Sequence, residues 1–423
     1  MTRDDIIKAA FKVWGQDFYR TTSLTQLAEE LAVSKPALYR HFKDKDALIE
    51  AMFAIYFDDF ALFAKESYDR AISSANRQKG ILVMMRSVTE YYARKREFFI
   101  FSLTRVFDSR ERKNINMEFC KRGIDFTKLS SLGNDNTAFP SKVHLVMTTL
   151  IYCVAQFHLT EKTPDKLPSE EKIRNFLLET ETWITKGLNL ESKKVSLLAY
   201  EALEKQITKT AFCETEDGTL LKAVAEAVAE AGPWNVSMEM VAKRSGLSKS
   251  SLYSHFKSKQ DMLGRLFMTE FSVMMDYAKL QIEKTEKGEE QLYLTIISIV
   301  NYLQSKPEIL LSMDWLKTRR MDLGTEAIKR LHKTIESLNL KAVKQFDKRR
   351  LLQIANWVLF MVVSTLTWWP RVEGLEEKGS KKSKSFYKGP ESKNDLIKKM
   401  TEIPNESFRI LFRFISLGLE GLK

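Results

Sequence analysis

Apolar residues recur at helical spacing along most of the chain, and turn signals rather than strands interrupt the pattern. Ile6, Ile7, Ala10, Phe11 and Trp14 share one face of a first helix over 6–14. A loop through 15–22 follows. Ser23 is placed to cap a short second helix over 24–32, and Val33 closes a turn. Ser34 is placed to cap a third helix with Pro36 in its first turn, where a missing N–H costs nothing. Asp44 caps a fourth helix that opens at Lys45. The same order then returns. A helix over 220–231 precedes a loop at Gly232-Pro233-Trp234-Asn235; Ser237 caps 238–245, Gly246 makes the turn, and Ser248 caps the next helix. Long helices with mixed aromatic and aliphatic faces fill the rest of each half. Each half closes with an apolar helix (143–159; 351–369), a polar loop and an amphipathic helix (170–190; 393–420). The predicted fold class is all-α.

The recurrence is literal. Ser34-Lys35-Pro36-Ala37-Leu38-Tyr39-Arg40-His41-Phe42-Lys43-Asp44-Lys45 returns 214 residues later as Ser248-Lys249-Ser250-Ser251-Leu252-Tyr253-Ser254-His255-Phe256-Lys257-Ser258-Lys259. Residues 2–53 and 216–267 align without a gap at 13 identities, including Ala28/Ala242. Tyr91, Glu97 and Phe98-Phe99 match Tyr302, Glu308 and Ile309-Leu310 at an offset of 211, and Gly187-Leu188 resembles Gly418-Leu419. Solenoid repeats run about 20 to 50 residues, so this period means duplication of a whole unit of some 210 residues.

Composition narrows the class. A chain of 423 residues with 44% hydrophobic residues, 26 Phe and 16 Met can bury large cores. Cys120, Cys153 and Cys213 are scattered without CxxC spacing, which suits a reducing cytosol and neither a disulfide framework nor a zinc site. The chain enters an amphipathic helix directly after Met1-Thr2-Arg3-Asp4-Asp5, so no signal peptide is expected, and the expected location is cytoplasmic. Leu351 to Trp369 is 19 residues without a charge, close to a bilayer-spanning length. Gln353, Asn356, Ser364, Thr365 and Thr367 interrupt it, so the expected reading is a helix buried among others, with no membrane partner. The net charge of +12 fits a polyanion partner, yet residues 1–50 balance at eight basic against eight acidic. Residues 215–265 hold seven against six, and the excess lies elsewhere, notably in Lys378, Lys381, Lys382, Lys384 and Lys388.

The repeated segment has the chemistry of a helix that reads DNA. Leu38 and Phe42, like Leu252 and Phe256, sit four apart on the packing face. Outward positions are Lys35, Pro36, Ala37, Tyr39 and Arg40 in the first copy, and Lys249, Ser250, Ser251, Tyr253 and Ser254 in the second. Small residues at the helix start allow close approach to the groove. Lys donates to guanine acceptors, Ser bonds several base edges, and Pro or Ala meets a thymine methyl. Tyr hydroxyls, His41/His255 and Lys45/Lys259 suit phosphate oxygens, which fix register.

The string Leu-Tyr-x-His-Phe-Lys-x-Lys, with an Ala-containing second helix ten to fifteen residues before it, resembles the TetR family of bacterial transcription regulators. The likeness spans about fifty residues in each copy and is architectural elsewhere. It implies two tandem TetR-like units, each a three-helix DNA-binding domain followed by a helical domain for ligand binding and dimerisation. The expected domains are 1–57, 58–205, 214–271 and 272–423, with a flexible basic insert at 374–394. The resemblance assigns double-stranded DNA as partner to Lys35, Pro36, Ala37, Tyr39 and Lys45, and to Lys249, Ser250, Ser251, Tyr253 and Lys259. It also implies a small hydrophobic effector and repression. Family members carry one unit per chain, whereas this chain carries two. The expectation is therefore a monomer acting as a pseudo-dimer, its bundles packed through 143–190 and 351–420, and an imperfect palindrome as operator. Recognition helices in such dimers lie about one turn of DNA apart, roughly 34–36 Å, or a multiple of it.

No nucleophile elbow, P-loop, Rossmann glycine string or HExxH occurs, so the expectation is a non-enzyme without cofactor or metal. His41 and His255 have no acid or Cys at ligand spacing, and His144, His158 and His332 are dispersed. Phe98, Phe99, Phe101, Met147, Tyr152 and Phe157, with Met313, Trp315, Trp357, Phe360, Met361, Trp368 and Trp369, read first as core; the resemblance places some of them around a cavity. The balanced charge of the two reading segments leaves an alternative open. In it the chain is a fused helical scaffold binding a protein partner or metabolite, with only non-specific phosphate contact to DNA.

Overall fold

A computed structural model describes residues 2–16, 22–106, 115–126, 128–129, 142–159, 167–207, 218–318, 333, 336, 340–372 and 393–422; among them there is no strand. The basic insert expected at 374–394 falls outside them except at its last two residues, and Cys213 and His332 lie outside entirely. The chain forms two compact units, Met1–Ile184 and Thr185–Lys423.

In the first unit α1 (Arg3–Gln16), α2 (Leu24–Glu30) and α3 (Lys35–Tyr39) form a small head. Ser23 accepts from the Thr25 N–H at 3.1 Å, as its position predicts. Ser34 has N-cap backbone angles but its side chain makes no capping bond, which corrects the expectation. The reason is local: Pro36 has no N–H to offer, and the Ala37 N–H is taken by the Ser34 carbonyl at 2.9 Å. Asp44 caps α4 (Lys45–Ile72) through the Ala47 N–H at 2.8 Å. This long helix leaves the head and pairs with α5 (Arg77–Arg94) around Met52, Tyr56, Phe60, Met84, Val88 and Tyr91, all buried. Then α6 (Arg96–Phe101), widened into a π-turn at Ser102–Val106, returns to the head, where Phe11 meets Phe98 and Phe101 at ring distances of 4.7 and 5.1 Å. After α7 (Ile115–Cys120), α8 (Lys142–Leu159) and α9 (Glu170–Lys186) complete the bundle. Phe157 stacks on Phe176 at 4.4 Å, and Arg94 grips Glu170 with two bonds of 2.7 Å.

The second unit opens with the connecting segment. The end of α9 crosses the chain near its C-terminus so closely that a Cβ on Gly187 would lie 2.4 Å from the Ile415 carbonyl oxygen, and one on Gly418 2.2 Å from the Thr185 carbonyl carbon. The Leu188 and Leu190 N–H groups donate to the Ile415 and Ser416 carbonyls at 2.8 and 3.1 Å. Two short helices follow, α10 (Ser192–Ser196) and α11 (Tyr200–Gln206), held by Glu204. Its carboxylate accepts from Arg409 Nε at 2.8 Å, Arg409 Nη2 at 3.0 Å, Tyr293 Oη at 2.5 Å and Asn405 Nδ2 at 3.0 Å. The chain between the repeats is thus packed structure over 185–207.

The second head is α12 (Gly218–Asn235), bent at Gly232 with φ +78, then α13 (Met238–Ser245) and α14 (Lys249–His255). Ser237 accepts from Met240 N at 3.2 Å and Ser248 from Ser251 N at 3.0 Å. The bundle comprises α15 (Lys259–Ile282), α16 (Gly288–Ser305), α17 (Pro307–Thr318), α18 (Lys348–Val372), α19 (Lys393–Thr401) and α20 (Asn405–Leu417). The last two were expected as one helix; Pro404, which lacks an N–H and holds the residue before it extended, separates them. Within α18, Lys348–Thr367 is long and apolar enough to cross a membrane, but Trp357, Met361, Thr365 and Leu366 are buried against the rest of the unit.

The head turns differ at the residue in the left-handed conformation. Gly246 takes the left-handed conformation at φ +70, whereas its counterpart Ala32 takes it at φ +51. A Cβ at Gly246 meets nothing within 4 Å, so the difference is one of backbone conformation alone. Ala32→Gly should therefore stabilise the first head, and Gly246→Ala destabilise the second, each by about 1 kcal/mol. Amide hydrogen exchange across 24–42 and 238–256 reads both effects.

Candidate nucleic-acid interface

The first reading surface is built on two buried side chains. Leu38 is 2% exposed and Phe42 5%, both packed on a head core that includes Leu27 and Ala28. At roughly 1.5–3 kcal/mol for burying each large apolar side chain, these contacts hold a five-residue helix that could not persist alone. The Ala28 carbonyl accepts from the Val33 N–H at 2.9 Å in the turn between α2 and α3. Of the predicted residues, Lys35, Pro36, Tyr39, Arg40, His41 and Lys45 are exposed and Ala37 is half-buried. Arg3 lies over the Phe42 ring at 5.0 Å and covers the end of the helix.

The second surface repeats the scaffold with different chemistry. Leu252 and Phe256 are buried, and Lys249, Ser250, Tyr253, Ser254 and His255 are exposed, with Ser251 and Lys259 half-buried. Burial lowers the Lys259 pKa. The helix opening is more strongly held than in the first copy. Ser248 caps it and also bonds Ser250 Oγ at 2.9 Å. Ser258 caps α15 through the Asp261 N–H at 3.1 Å, as Asp44 caps α4 in the first copy. Arg265 covers the Phe256 ring at 5.7 Å, taking the place that Arg3 has in the first head. Sequence reading missed one feature: Lys249 is ion-paired to Glu239 on the preceding helix. Thr25 stands at the matching place in the first copy, so Lys35 has no such acid, and the alignment of Thr25 with Glu239 was the available signal. The pair is exposed, and pairs of that kind contribute little to stability. Its consequence is electrostatic, since Lys249 must exchange a carboxylate for any new acceptor.

Among the described residues no group of three or more His, Cys, Asp or Glu could hold a metal ion. The second unit does contain an apolar cavity of about 270 Å³ between α15, α16 and α18, lined by Phe271, Met275, Leu292, Ile299, Val343 and Ile354 among others. Lys344, Lys348 and Glu336 supply its charged groups, the last two paired at 3.3 Å. Trp357 and Met361, candidates for such a lining, are fully buried core instead; the cavity uses their neighbours Asn356 and Val358. The side chains of Trp315, Trp368 and Trp369 lie outside the described part of the structure.

Twice, then, a short helix is clamped by a leucine and a phenylalanine on a preceding capped helix and turns lysine, small residues and tyrosine to solvent. That construction defines a helix-turn-helix DNA-binding protein. Residues 6–52 and 220–266 both match the family model for bacterial regulatory proteins of the tetR family, so the chain carries two tetR-type DNA-binding domains in tandem. It is 40% identical over 53 residues to the uncharacterized HTH-type transcriptional regulator YuxN of Bacillus subtilis (strain 168), a match that covers 12% of this chain and 18% of that relative. The TetR family transcriptional regulator PfmR from Thermus thermophilus shares 21% identity with a TM-score of 0.28, over 35% of this chain and 86% of that one.

The Lys249 hydrogen bond, followed by contacts with its own backbone and Ser237, holds the Glu239 carboxyl down at about 2. Its contribution to folding is present above the ordinary carboxylate range and is lost as pH falls through that value. In an NMR titration Glu239 should ionise near that low value, and Lys249→Met should return it toward the usual range.

Proposed function

We propose that the chain is a ligand-responsive transcription regulator, by family likeness a repressor, whose two reading helices recognise the unlike halves of an imperfect palindrome. The observation that carries this reading is the pair of exposed helices with one scaffold and two outward sets: Pro36, Ala37 and Arg40 against Ser250, Ser251 and Ser254. A homodimer presents the same set twice, whereas a fused chain can diverge at each. Lys35 and Lys249 donate to guanine edges, and Pro36 and Ala37 offer apolar contact to a thymine methyl. Tyr39, Tyr253, His41, His255, Lys45 and Lys259 hold phosphates. The apolar cavity of the second unit would take the effector, and the long α15 that lines it through Phe271 and Met275 runs on from the head.

The scaffold alternative draws on the Lys249–Glu239 pair and the balanced charge of both heads. The two readings separate by salt. A specific reader keeps its preference for one sequence as salt rises, while phosphate binding weakens alike on every sequence.

On the operator that the full-length chain enriches, Lys35→Ala should cost about 1–3 kcal/mol and relax base preference in one half-site. Tyr39→Phe or Tyr253→Phe should weaken binding without relaxing preference; fluorescence anisotropy on operator variants distinguishes these outcomes. A Lys35→Ala chain with unchanged preference would remove Lys35 from the base contacts. Filling the cavity with Ile299→Trp should leave operator affinity intact and abolish its response to effector, as read by titration in the presence of candidate hydrophobic ligands.

A further inference from the structure

In each unit a carboxylate on the helix leaving the head meets a tyrosine and a lysine at the end of the next helix. In the first, Tyr91 Oη donates to Asp59 Oδ2 at 2.9 Å, and Lys95 Nζ donates to the two Asp59 oxygens at 2.7 and 2.6 Å. In the second, Glu270 Oε2 accepts from Tyr302 Oη at 2.5 Å and from Lys306 Nζ at 2.9 Å. The acid precedes its tyrosine by 32 residues and its lysine by 36 in both units. Each lysine also lies over the ring of its tyrosine, at 5.3 and 5.0 Å. Burial first, and then the adjacent carboxylate, pushes both tyrosine hydroxyls above their usual range, so each stays protonated and donates.

The lysines are also the elbows. Lys95 (φ −122, ψ 73) and Lys306 (φ −131, ψ 71) break their helices in the same way. The helices that start there, α6 and α17, run back to the first helix of each head. Phe98 and Phe101 meet Phe11 in one unit, and Ser312 Oγ donates to the Ala225 carbonyl at 3.1 Å in the other. Head-leaving helix, bundle helix and head-contacting helix therefore meet at one half-buried ion pair.

What differs is the distance from the head. Asp59 lies 14 residues after Lys45 at the start of α4, and Glu270 lies 11 after Lys259 at the start of α15. Three fewer helical residues is about 4.5 Å less length and about 60° of rotation. Counted from the head, the counterpart of Glu270 is Tyr56, and its hydroxyl meets that of Tyr92 at 2.7 Å instead.

We propose that the Asp59–Tyr91–Lys95 and Glu270–Tyr302–Lys306 triads are register locks that fix the height and rotation of each reading head on its own bundle, set three helical residues apart in the two units. They are positioning residues for DNA binding, and the assignment rests on the functional reading above. The retention of the same spacings in two copies whose surroundings have diverged supports a shared role.

The test uses the full-length chain on random double-stranded DNA, with affinity for the enriched operator and the half-site spacing as readouts. Asp59→Asn and Glu270→Gln should each lower affinity on the order of tenfold and broaden the enriched spacing. Lys95→Arg should keep both properties and Lys95→Met should lose them. Leu177→Ala, a core truncation on α9, should lower the thermal midpoint while leaving the spacing alone, which a merely structural role for the triads would not distinguish. Should the acid variants unfold, Tyr302→Phe removes one donor with its ring kept in place and should still broaden the spacing. A wild-type chain that enriches no sequence overturns the functional reading and the locks with it. A wild type that enriches an operator, with lock variants unchanged in affinity and spacing, overturns the locks alone.

Discussion

A helix of five to seven residues has too few internal hydrogen bonds to hold its own shape in water, so its order must come from what it packs against. In this protein that support is the burial of Leu38 with Phe42, and of Leu252 with Phe256, on the capped helix before them. Everything presented to a nucleic acid depends on those two anchors in each copy. They consume one face of the helix and leave the other, with its lysine, small residues and tyrosine, in solvent. The head is small, and its own attachment to a bundle decides where that face points.

The duplication kept the anchors and let the rest vary. The reading helix of the second copy is capped by Ser248 through the Ser251 N–H, whereas in the first Pro36 has no N–H and the Ala37 N–H is held by the Ser34 carbonyl instead. The second copy replaces Arg40 with Ser254 and ties Lys249 to Glu239, so its reading face is less positive than the first. The turn before the helix is relaxed at Gly246 and strained at Ala32. A single chain can accumulate such differences without disturbing a symmetric partner.

Much of this was legible in the residues. Ser23, Asp44, Ser237 and Ser248 are caps where the pattern put them, Gly246 makes the turn, and the outward residues of both reading helices are exposed apart from the half-buried Ala37 and Ser251. Local chemistry determines these features, so local sequence reveals them. Three-dimensional pairing is less open to reading. Glu239 and Lys249 are ten residues apart on different helices, and no periodicity joins them. The carboxylates of the triads were hidden because a gapless alignment of the heads ends at Phe53/Phe267, just before the three-residue difference in the long helix. Which residues line the cavity was not legible for a different reason. Aromatic residues at helical spacing report that a face is buried, but whether they fill the core or border a void depends on the neighbouring helices, and Trp357 fills it.

Selection of bound sequences from a random double-stranded library by the purified full-length chain decides whether two heads in one chain read two different sequences. The account predicts two unlike half-sites at one fixed spacing, surviving at raised salt. Two identical half-sites, a single half-site or no enrichment at all would contradict it.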